Sequence, residues 1–214
     1  MRILHVSDLH YHKPYFEWVA AAAVRFDAIA ITGDSLGYLN QPADQENGLR
    51  TWLNRCPVPI FYSRGSYDPH PMCRVRNPNF HGAGVHRLGD WRVVVADVFS
   101  GLTIPEDFAQ TVVVTHYPPA RTLCAQSVSG GFTEFGRGDV RAMVDTIDRT
   151  RLVLSGSVHD PARNHDYIGD ALVINPGTAY NEHVGVPAHA IAMLGERAVS
   201  IDTGRVMSCV SFAT

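Results

Sequence analysis

The chain has 214 residues, of which 45% are hydrophobic and 18% are charged, a composition typical of a folded globular protein. Its formal charge of −3 argues against a broad basic surface for long nucleic acid or acidic membranes. No stretch approaches the roughly 18 consecutive apolar residues of a membrane-spanning helix, and the chain starts with a strand pattern rather than a secretion signal. We therefore expect a single domain over residues 1–214, located in the cytoplasm.

Histidine and cysteine usage gives a first indication of the chemistry. Histidine occurs 11 times, which suits a metal site but does not identify one. The cysteines lack the close spacing of a zinc site or a disulfide framework, so we expect reduced thiols. They are Cys56, Cys73, Cys124 and Cys209.

The first part of the chain alternates strand and helix patterns. Arg2–Val6 and Asp27–Thr32 are short apolar runs typical of buried strands. Between them, Tyr15–Arg25 repeats apolar residues three and four apart, as in a helix with one buried face, and Pro14 suits its first turn. The order strand, helix, strand indicates a parallel βαβ unit. In open α/β sheets, ligands bind where the carboxyl ends of such strands meet.

The rest of the chain contains further strands and two more helices. Strands outnumber helices after residue 150, which favours two sheets packed face to face with helices outside. We predict helices at Gln45–Asn54 and Asp139–Asp148, a hairpin of Val85–Leu88 and Trp91–Val98 around Gly89-Asp90, and strands at Ile60–Ser63, Thr111–Thr115, Leu152–Leu154, Ala171–Ile174, Ala188–Leu194, Arg197–Ile201 and Arg205–Val210.

Polar side chains follow several of the predicted buried strands. Asp8 and His10 come two apart after the first strand, a spacing that in extended backbone directs both side chains to the same side. A carboxylate and an imidazole that converge in this way can be the first two ligands of a divalent metal. Later predicted strands end in comparable groups: Gly33-Asp34, Gly65-Ser66-Tyr67-Asp68, His116 and Gly156-Ser157-Val158-His159.

The ordered series SDLH, TGD, RGSYD, THYPP, SGSVHD and INPG resembles the calcineurin-like metallophosphoesterase family, in particular its small single-domain, phosphodiesterase-like branch. The resemblance spans almost the whole chain. It implies a four-layer α/β/β/α sandwich of two mixed sheets flanked by helices, with a metal site at the strand ends. It also implies hydrolysis of a phosphoester by a metal-bound hydroxide.

The resemblance further assigns metal ligands to the first five of these motifs. The first metal would be held by Asp8, His10, Asp34 and His159, and the set is complete. The second would share Asp34 with the first and add His116, but Ser66 stands where the family has Asn and Ser157 where it has His. A short, neutral hydroxyl is a poor ligand for Mn, Fe, Zn or Ni. We therefore expect one tightly bound divalent ion and a second that is weak or absent.

Catalytic and substrate-binding candidates follow from the same motifs. Asp34, His116 and Tyr67 are the catalytic candidates, although Tyr67 replaces a histidine and an ordinary phenol, with a pKa near 10, is a poorer acid. Arg64 and Arg121 could hold a substrate phosphate or form ion pairs on the rim. Four loop residues either compensate for the missing ligands or are simply solvated: His70, His81, Asp160 and His165.

Three functions remain open at this point. The first is a metal-dependent hydrolase of a small phosphomonoester or phosphodiester, such as a nucleotide. The second is a catalytically weak or inactive relative that serves as a binding or scaffold protein. The third is a mononuclear metal site with a different oxidative or hydrolytic role.

Overall fold

Two β-sheets face each other in the computed structural model, which describes residues 1–37, 42–68, 75–97, 110–178, 185–195, 198–202 and 207–211. The elements in chain order are β1 (Arg2–Val6), α1 (Lys13–Ala23), β2 (Ala28–Thr32), α2 (Pro42–Arg55), β3 (Ile60–Ser63), β4 (Phe80–His81), β5 (Gly84–Leu88), β6 (Trp91–Ala96), β7 (Thr111–Thr115), a 3-10 helix (Leu123–Ala125), β8 (Gln126–Ser127), β9 (Thr133–Glu134), α3 (Gly138–Thr146), β10 (Thr150–Leu154), β11 (His165–Ile168), β12 (Ala171–Ile174), β13 (His189–Leu194), β14 (Ala198–Asp202) and β15 (Met207–Ser211).

Both large sheets are mixed. Over the described ranges, the first sheet has the strand order β15-β14-β13-β1-β2-β3-β4 and the second has β11-β12-β10-β7-β6-β5. Strands β1 to β4 are parallel, and β13 joins β1 in the antiparallel direction. In the second sheet β6, β7, β10 and β12 are parallel, and β5 and β11 flank them as antiparallel edges.

Alternating side chains along the strands separate three hydrophobic layers. On the first sheet, Ile3 and the small side chains of Ala28 and Ala30 face the second sheet, while Leu4 and Ile29 face the helices. The outer face of the first sheet packs against α1 and α2, and the outer face of the second packs against α3. This confirms the four-layer α/β/β/α sandwich of two mixed sheets flanked by helices.

The predicted elements agree closely with the structure, with a few differences. β3, β7 and β12 have the predicted bounds, and the predicted hairpin around Gly89-Asp90 is β5–β6, although Val98 lies outside the described residues. α1 begins two residues earlier than predicted, with Pro14 in its first turn. The sequence prediction missed β4, β11 and the short β8–β9 hairpin. These are short edge or loop strands, which lack the continuous apolar run of a central strand.

The parallel strands bring their carboxyl ends to one rim of the sandwich. Loops that follow β1, β2 and β3 in the first sheet meet loops that follow β7, β10 and β12 in the second. Main-chain hydrogen bonds join these loops, for example from Asp8 N to Gly33 O (3.1 Å) and from Gly156 N to His116 O (2.8 Å). Of the helices in the described residues, none is both long and apolar enough to cross a bilayer.

Candidate metal centre

The rim loops place several candidate ligands in left-handed backbone. The φ angles are 52° at Asp8, 42° at His10, 45° at Asp34 and 65° at Ser157. Positive φ is uncommon for residues other than glycine and often marks functional sites. β1 ends at Val6, so Asp8 and His10 lie beyond the strand, in the left-handed segment that follows it. The prediction that strand alternation directs both side chains to the same side is therefore wrong.

One group of candidate ligands consists of Asp8, His10 and His159, whose ligand atoms lie within 4.8 Å of one another. The Nε2 atoms of His10 and His159 are 3.2 Å apart. His159 Nε2 lies 3.7 Å from Asp8 Oδ1. The loop after β1 therefore meets the loop after β10 at a single point.

A second group consists of Asp8, Asp34 and His116, again within 4.8 Å. His116 Nε2 lies 3.5 Å from Asp34 Oδ2. On the other side of the ring, Nδ1 lies 2.7 Å from the carbonyl oxygen of Thr32, so Nδ1 carries the hydrogen and Nε2 is the atom offered to a ligand. Asp8 belongs to both groups, whereas Asp34, expected to bridge two metals, belongs to the second.

The chemistry of these atoms fits a divalent cation. Asp8 Oδ1 and His116 Nε2 are both buried, and neither has a hydrogen-bond partner among the residues that the structure describes. A buried polar atom without a partner is costly, and a bound cation would compensate both atoms. A mixture of carboxylate and imidazole ligands suits first-row ions such as Mn²⁺, Fe²⁺, Zn²⁺ or Ni²⁺.

The electrostatic environment of the site shifts the pKa values of several candidate ligands. Burial opposes the charged form of His116, but the carboxylates of Asp34 and Asp8 outweigh it and raise the pKa of His116 to about 9. The contact with Asp8 raises the pKa of His159, whereas burial lowers the pKa of His10. Burial also opposes ionisation of Asp34, yet its contacts with His116 outweigh this effect and lower the pKa of Asp34. A proton and a cation therefore compete for the same atoms.

The loop after β3 surrounds Asp34. Tyr67 N donates a hydrogen bond to Asp34 Oδ1 (2.9 Å), and Ser66 Oγ donates to the same carboxylate at 3.3 Å. Tyr67 is 42% exposed, and its ring meets the His10 ring edge-on, with the ring centroids 6.1 Å apart. The buried Asp68 carboxylate accepts hydrogen bonds from Ser35 N, Leu36 N and Gly65 N. Asp68 thus connects the β2 and β3 loops.

Ser157 approaches the site through its main chain. Its N–H donates a hydrogen bond to Asp8 Oδ2 (3.0 Å). Two glycines allow such close approaches: a Cβ at Gly65 would lie 2.2 Å from Asp34 Oδ1, and a Cβ at Gly156 would lie 1.7 Å from Ser7 Oγ. Larger residues at these two positions would push the ligands apart.

The two arginines predicted to bind substrate have different surroundings. Arg64 is buried, and its Nε lies 3.2 Å from Asp97 Oδ2, an arrangement that favours the ion-pair alternative. The side chain of Arg121 is exposed, while its backbone N–H donates to Glu134 Oε1 (3.1 Å). A phosphate-binding role for either arginine stays a prediction.

The loop residues considered as compensating groups have contacts of other kinds. The His81 ring stacks on Phe61 at 5.2 Å. The Asp160 carboxylate accepts hydrogen bonds from Ser127 Oγ and Ser129 N, and the His165 ring meets Tyr167 edge-on at 6.2 Å. His70 lies outside the described residues.

Three residues that the sequence reasoning did not assign support the ligands. Thr32 O accepts from His116 Nδ1, Ser7 Oγ contacts the Asp8 carboxylate, and Asn175 Nδ2 donates to Gly156 O (3.0 Å) and Val158 O (3.0 Å). Ser7 lies within the motif SDLH, Thr32 within TGD and Asn175 within INPG, so the positions of all three were a usable signal. The role of Thr32 depends on a main-chain carbonyl, which no side-chain pattern reveals.

Known proteins share this fold. A dimetal phosphatase from Danio rerio is 10% identical, with a TM-score of 0.71 and coverage of 100% of this chain and 99% of that chain. An archaeal phosphodiesterase is 15% identical, with a TM-score of 0.53 and coverage of 99% and 100%. YfcE, a phosphoesterase from E. coli, is 14% identical, with a TM-score of 0.52 and complete coverage of both chains (100% and 100%). At these identities the likeness concerns the fold.

The sequence comparisons are decisive for the family. No curated protein sequence matches this chain. The model of the calcineurin-like phosphoesterase superfamily domain, however, matches residues 1–196, a span that includes every motif from SDLH to INPG. The chain therefore belongs to the calcineurin-like phosphoesterase superfamily.

Proposed function

We propose that this protein hydrolyses a small phosphomonoester or phosphodiester with the help of a divalent metal ion. One observation carries the proposal: Asp8 Oδ1 and His116 Nε2 are buried, lack a hydrogen-bond partner within the described residues, and lie within two overlapping groups of ligand atoms. A bound divalent ion would acidify a water molecule and neutralise charge on a phosphoryl group.

The chain's own residues hold and orient the ligands. Thr32 O fixes the His116 ring so that Nε2 points to the site. Tyr67 N and Ser66 Oγ hold the Asp34 carboxylate. The phenol of Tyr67 reaches solvent beside His10, where it could donate a hydrogen bond to a phosphate oxygen of the substrate.

We propose further that a second ion binds weakly. Ser66 Oγ donates its hydrogen to the Asp34 carboxylate, and Ser157 contacts the Asp8 carboxylate through its main-chain N–H. A hydroxyl oxygen keeps its lone pairs when it donates, but it is a poorer ligand for these ions than the imidazole of the family pattern. We therefore expect the second position to bind its ion more weakly than the first.

The substrate class follows from charge and access. A formal charge of −3 disfavours long nucleic acid, and a small phosphate ester needs only the rim itself. The exposed Arg121 and Tyr67 are the residues that we propose contact it.

The test uses two model substrates, 4-nitrophenyl phosphate and bis(4-nitrophenyl) phosphate, in the presence of Mn²⁺. We expect the wild-type protein to hydrolyse at least one of them, and Asp34→Asn to lower kcat/KM at least about 100-fold, because a ligand carboxylate is lost. Asp145→Asn is the matched control, since that carboxylate is exposed and pairs with Arg141 on α3. Its activity should equal that of the wild type.

The scaffold alternative is favoured by the same two serines, and the assay separates it from the hydrolase. Absence of turnover of both substrates with Mn²⁺, Fe²⁺, Zn²⁺ or Ni²⁺ would contradict the hydrolase and support a binding protein. Equal activity of Asp34→Asn and the wild type would contradict the proposed site.

A further inference from the structure

The two oxygens of the Asp8 carboxylate have different surroundings. Oδ2 accepts hydrogen bonds from Ser7 Oγ and from Ser157 N. Oδ1 has no hydrogen-bond partner within the described residues, and it faces His159 Nε2 at 3.7 Å. The Asp8 side chain is completely buried, so bulk water does not give the two oxygens equivalent hydrogen bonds.

We propose that Ser7 is a positioning residue, whose hydroxyl holds Asp8 Oδ2 and thereby leaves Oδ1 as the one oxygen offered to the metal ion. The inference rests on the proposed metal-dependent function. It concerns how Asp8 is oriented rather than whether Asp8 is a ligand. Groups that hydrogen-bond to metal ligands fix the orientation of those ligands and tune the affinity of the site.

The residues around Ser7 favour its hydrogen bond to Asp8. Ser7 itself is buried, and its Oγ also lies 3.1 Å from Thr32 O, the carbonyl that accepts from His116 Nδ1. A hydroxyl has a single hydrogen, so it donates to one acceptor at a time, and the contact with Asp8 is the shorter of the two. Gly156 provides the space, because a Cβ there would lie 1.7 Å from Ser7 Oγ.

The negative charge of Asp8 strengthens its hydrogen bond with Ser7. A hydrogen bond to a carboxylate in a buried site is stronger than one between neutral groups. Without the hydroxyl, Oδ2 keeps the Ser157 N–H alone, and the carboxylate can rotate. Rotation would present Oδ2, or both oxygens, to the ion and change its ligand set.

The experiment measures Mn²⁺ binding to the full chain by calorimetry and records the electron paramagnetic resonance spectrum of bound Mn²⁺, which reports its ligands. We expect Ser7→Ala to weaken Mn²⁺ binding about 10- to 100-fold and to alter the spectrum. Ser63→Ala is the matched control: Ser63 is equally buried, and its Oγ donates to Ala96 O (2.8 Å), away from the ligands. It should keep the wild-type affinity and spectrum. Urea unfolding of both variants monitors stability.

Each of the following outcomes would contradict the positioning role of Ser7. Unchanged affinity and spectrum in Ser7→Ala overturn the positioning role while leaving the metal site intact. Equal losses in Ser7→Ala and Ser63→Ala overturn it as well, because they reflect general destabilisation. If the wild-type chain binds no Mn²⁺, the proposed function fails and this inference fails with it.

Discussion

At the scale of single residues, Ser66 and Ser157 stand where the family pattern has Asn and His. Asp34 and His159 have the side chains that the family pattern requires, so among the expected metal ligands the departures are Ser66 and Ser157. A hydroxyl is both shorter and less basic than an imidazole. The proposal that a second ion binds weakly therefore depends on the identity of these two side chains.

A combined Ser66→Asn and Ser157→His variant should restore the second ion. We expect the number of Mn²⁺ ions retained per chain to rise from about one to about two, because the new amide oxygen and imidazole complete the second ligand set. Metal content after dialysis measures this, and hydrolysis of bis(4-nitrophenyl) phosphate should rise about tenfold or more. Each single variant is a control with an intermediate effect. Unchanged metal content in the double variant would show that the serines do not limit the second site.

At the scale of elements, the rim depends on connections between loops of different strands. Asp68, on the loop after β3, accepts hydrogen bonds at 2.8 Å from Ser35 N and at 3.1 Å from Leu36 N on the loop after β2. Burial raises the pKa of Asp68, although the hydrogen bond from Gly65 N works in the opposite direction. One buried carboxylate thus holds the loop of Asp34 against the loop of Ser66.

Asp68→Ala should therefore destabilise the protein and loosen the rim. Three buried N–H groups would lose their acceptor, which we expect to cost about 3 kcal/mol of the free energy of unfolding, measured by urea denaturation. Asp139→Ala is the control, since Asp139 is an exposed partner of Arg137, and exposed pairs contribute about 1 kcal/mol or less. A similar small change in both variants would contradict the connecting role of Asp68.

At the scale of the whole molecule, a buried histidine lies on a central strand of the first sheet. His5 lies on β1 with no exposed surface, and its Nε2 is 2.9 Å from Thr32 Oγ1. Burial and the nearby His189 lower the pKa of His5 to about 3. The small side chains of Ala28 and Ala30 lie in the core between the two sheets.

The stability of the protein should fall as the pH is lowered from about 6.5 towards the folded-state pKa of about 3. Over this interval the unfolded chain binds a proton at His5 and the folded chain does not, so protons favour unfolding. Urea denaturation at a series of pH values should show a loss of a few kcal/mol from this residue. His5→Leu should flatten the curve between these limits. An equally steep curve in His5→Leu would assign the acid sensitivity to other groups.

Much of the fold could be predicted from local pattern. The continuous apolar runs of β3, β7 and β12 define central strands with the predicted bounds, because a strand buried on both faces leaves few polar positions. β11, with the sequence HDYI, was missed because its edge position leaves its side chains partly solvated. Its turn, Gly169-Asp170, repeats the dipeptide of the β5–β6 hairpin and could have revealed it.

The sequence by itself determined which residues end each parallel strand, since hydrophobic runs that stop at Asp34 or His116 can be recognised locally. Only the tertiary structure decided how those side chains are held. Ser157 N reaches Asp8 Oδ2 from 149 residues away, and the turn at Asp8 has positive φ. The physical reason is that periodicity records burial of side chains along one element, whereas the orientation of a carboxylate depends on main-chain donors supplied by loops of the opposite sheet.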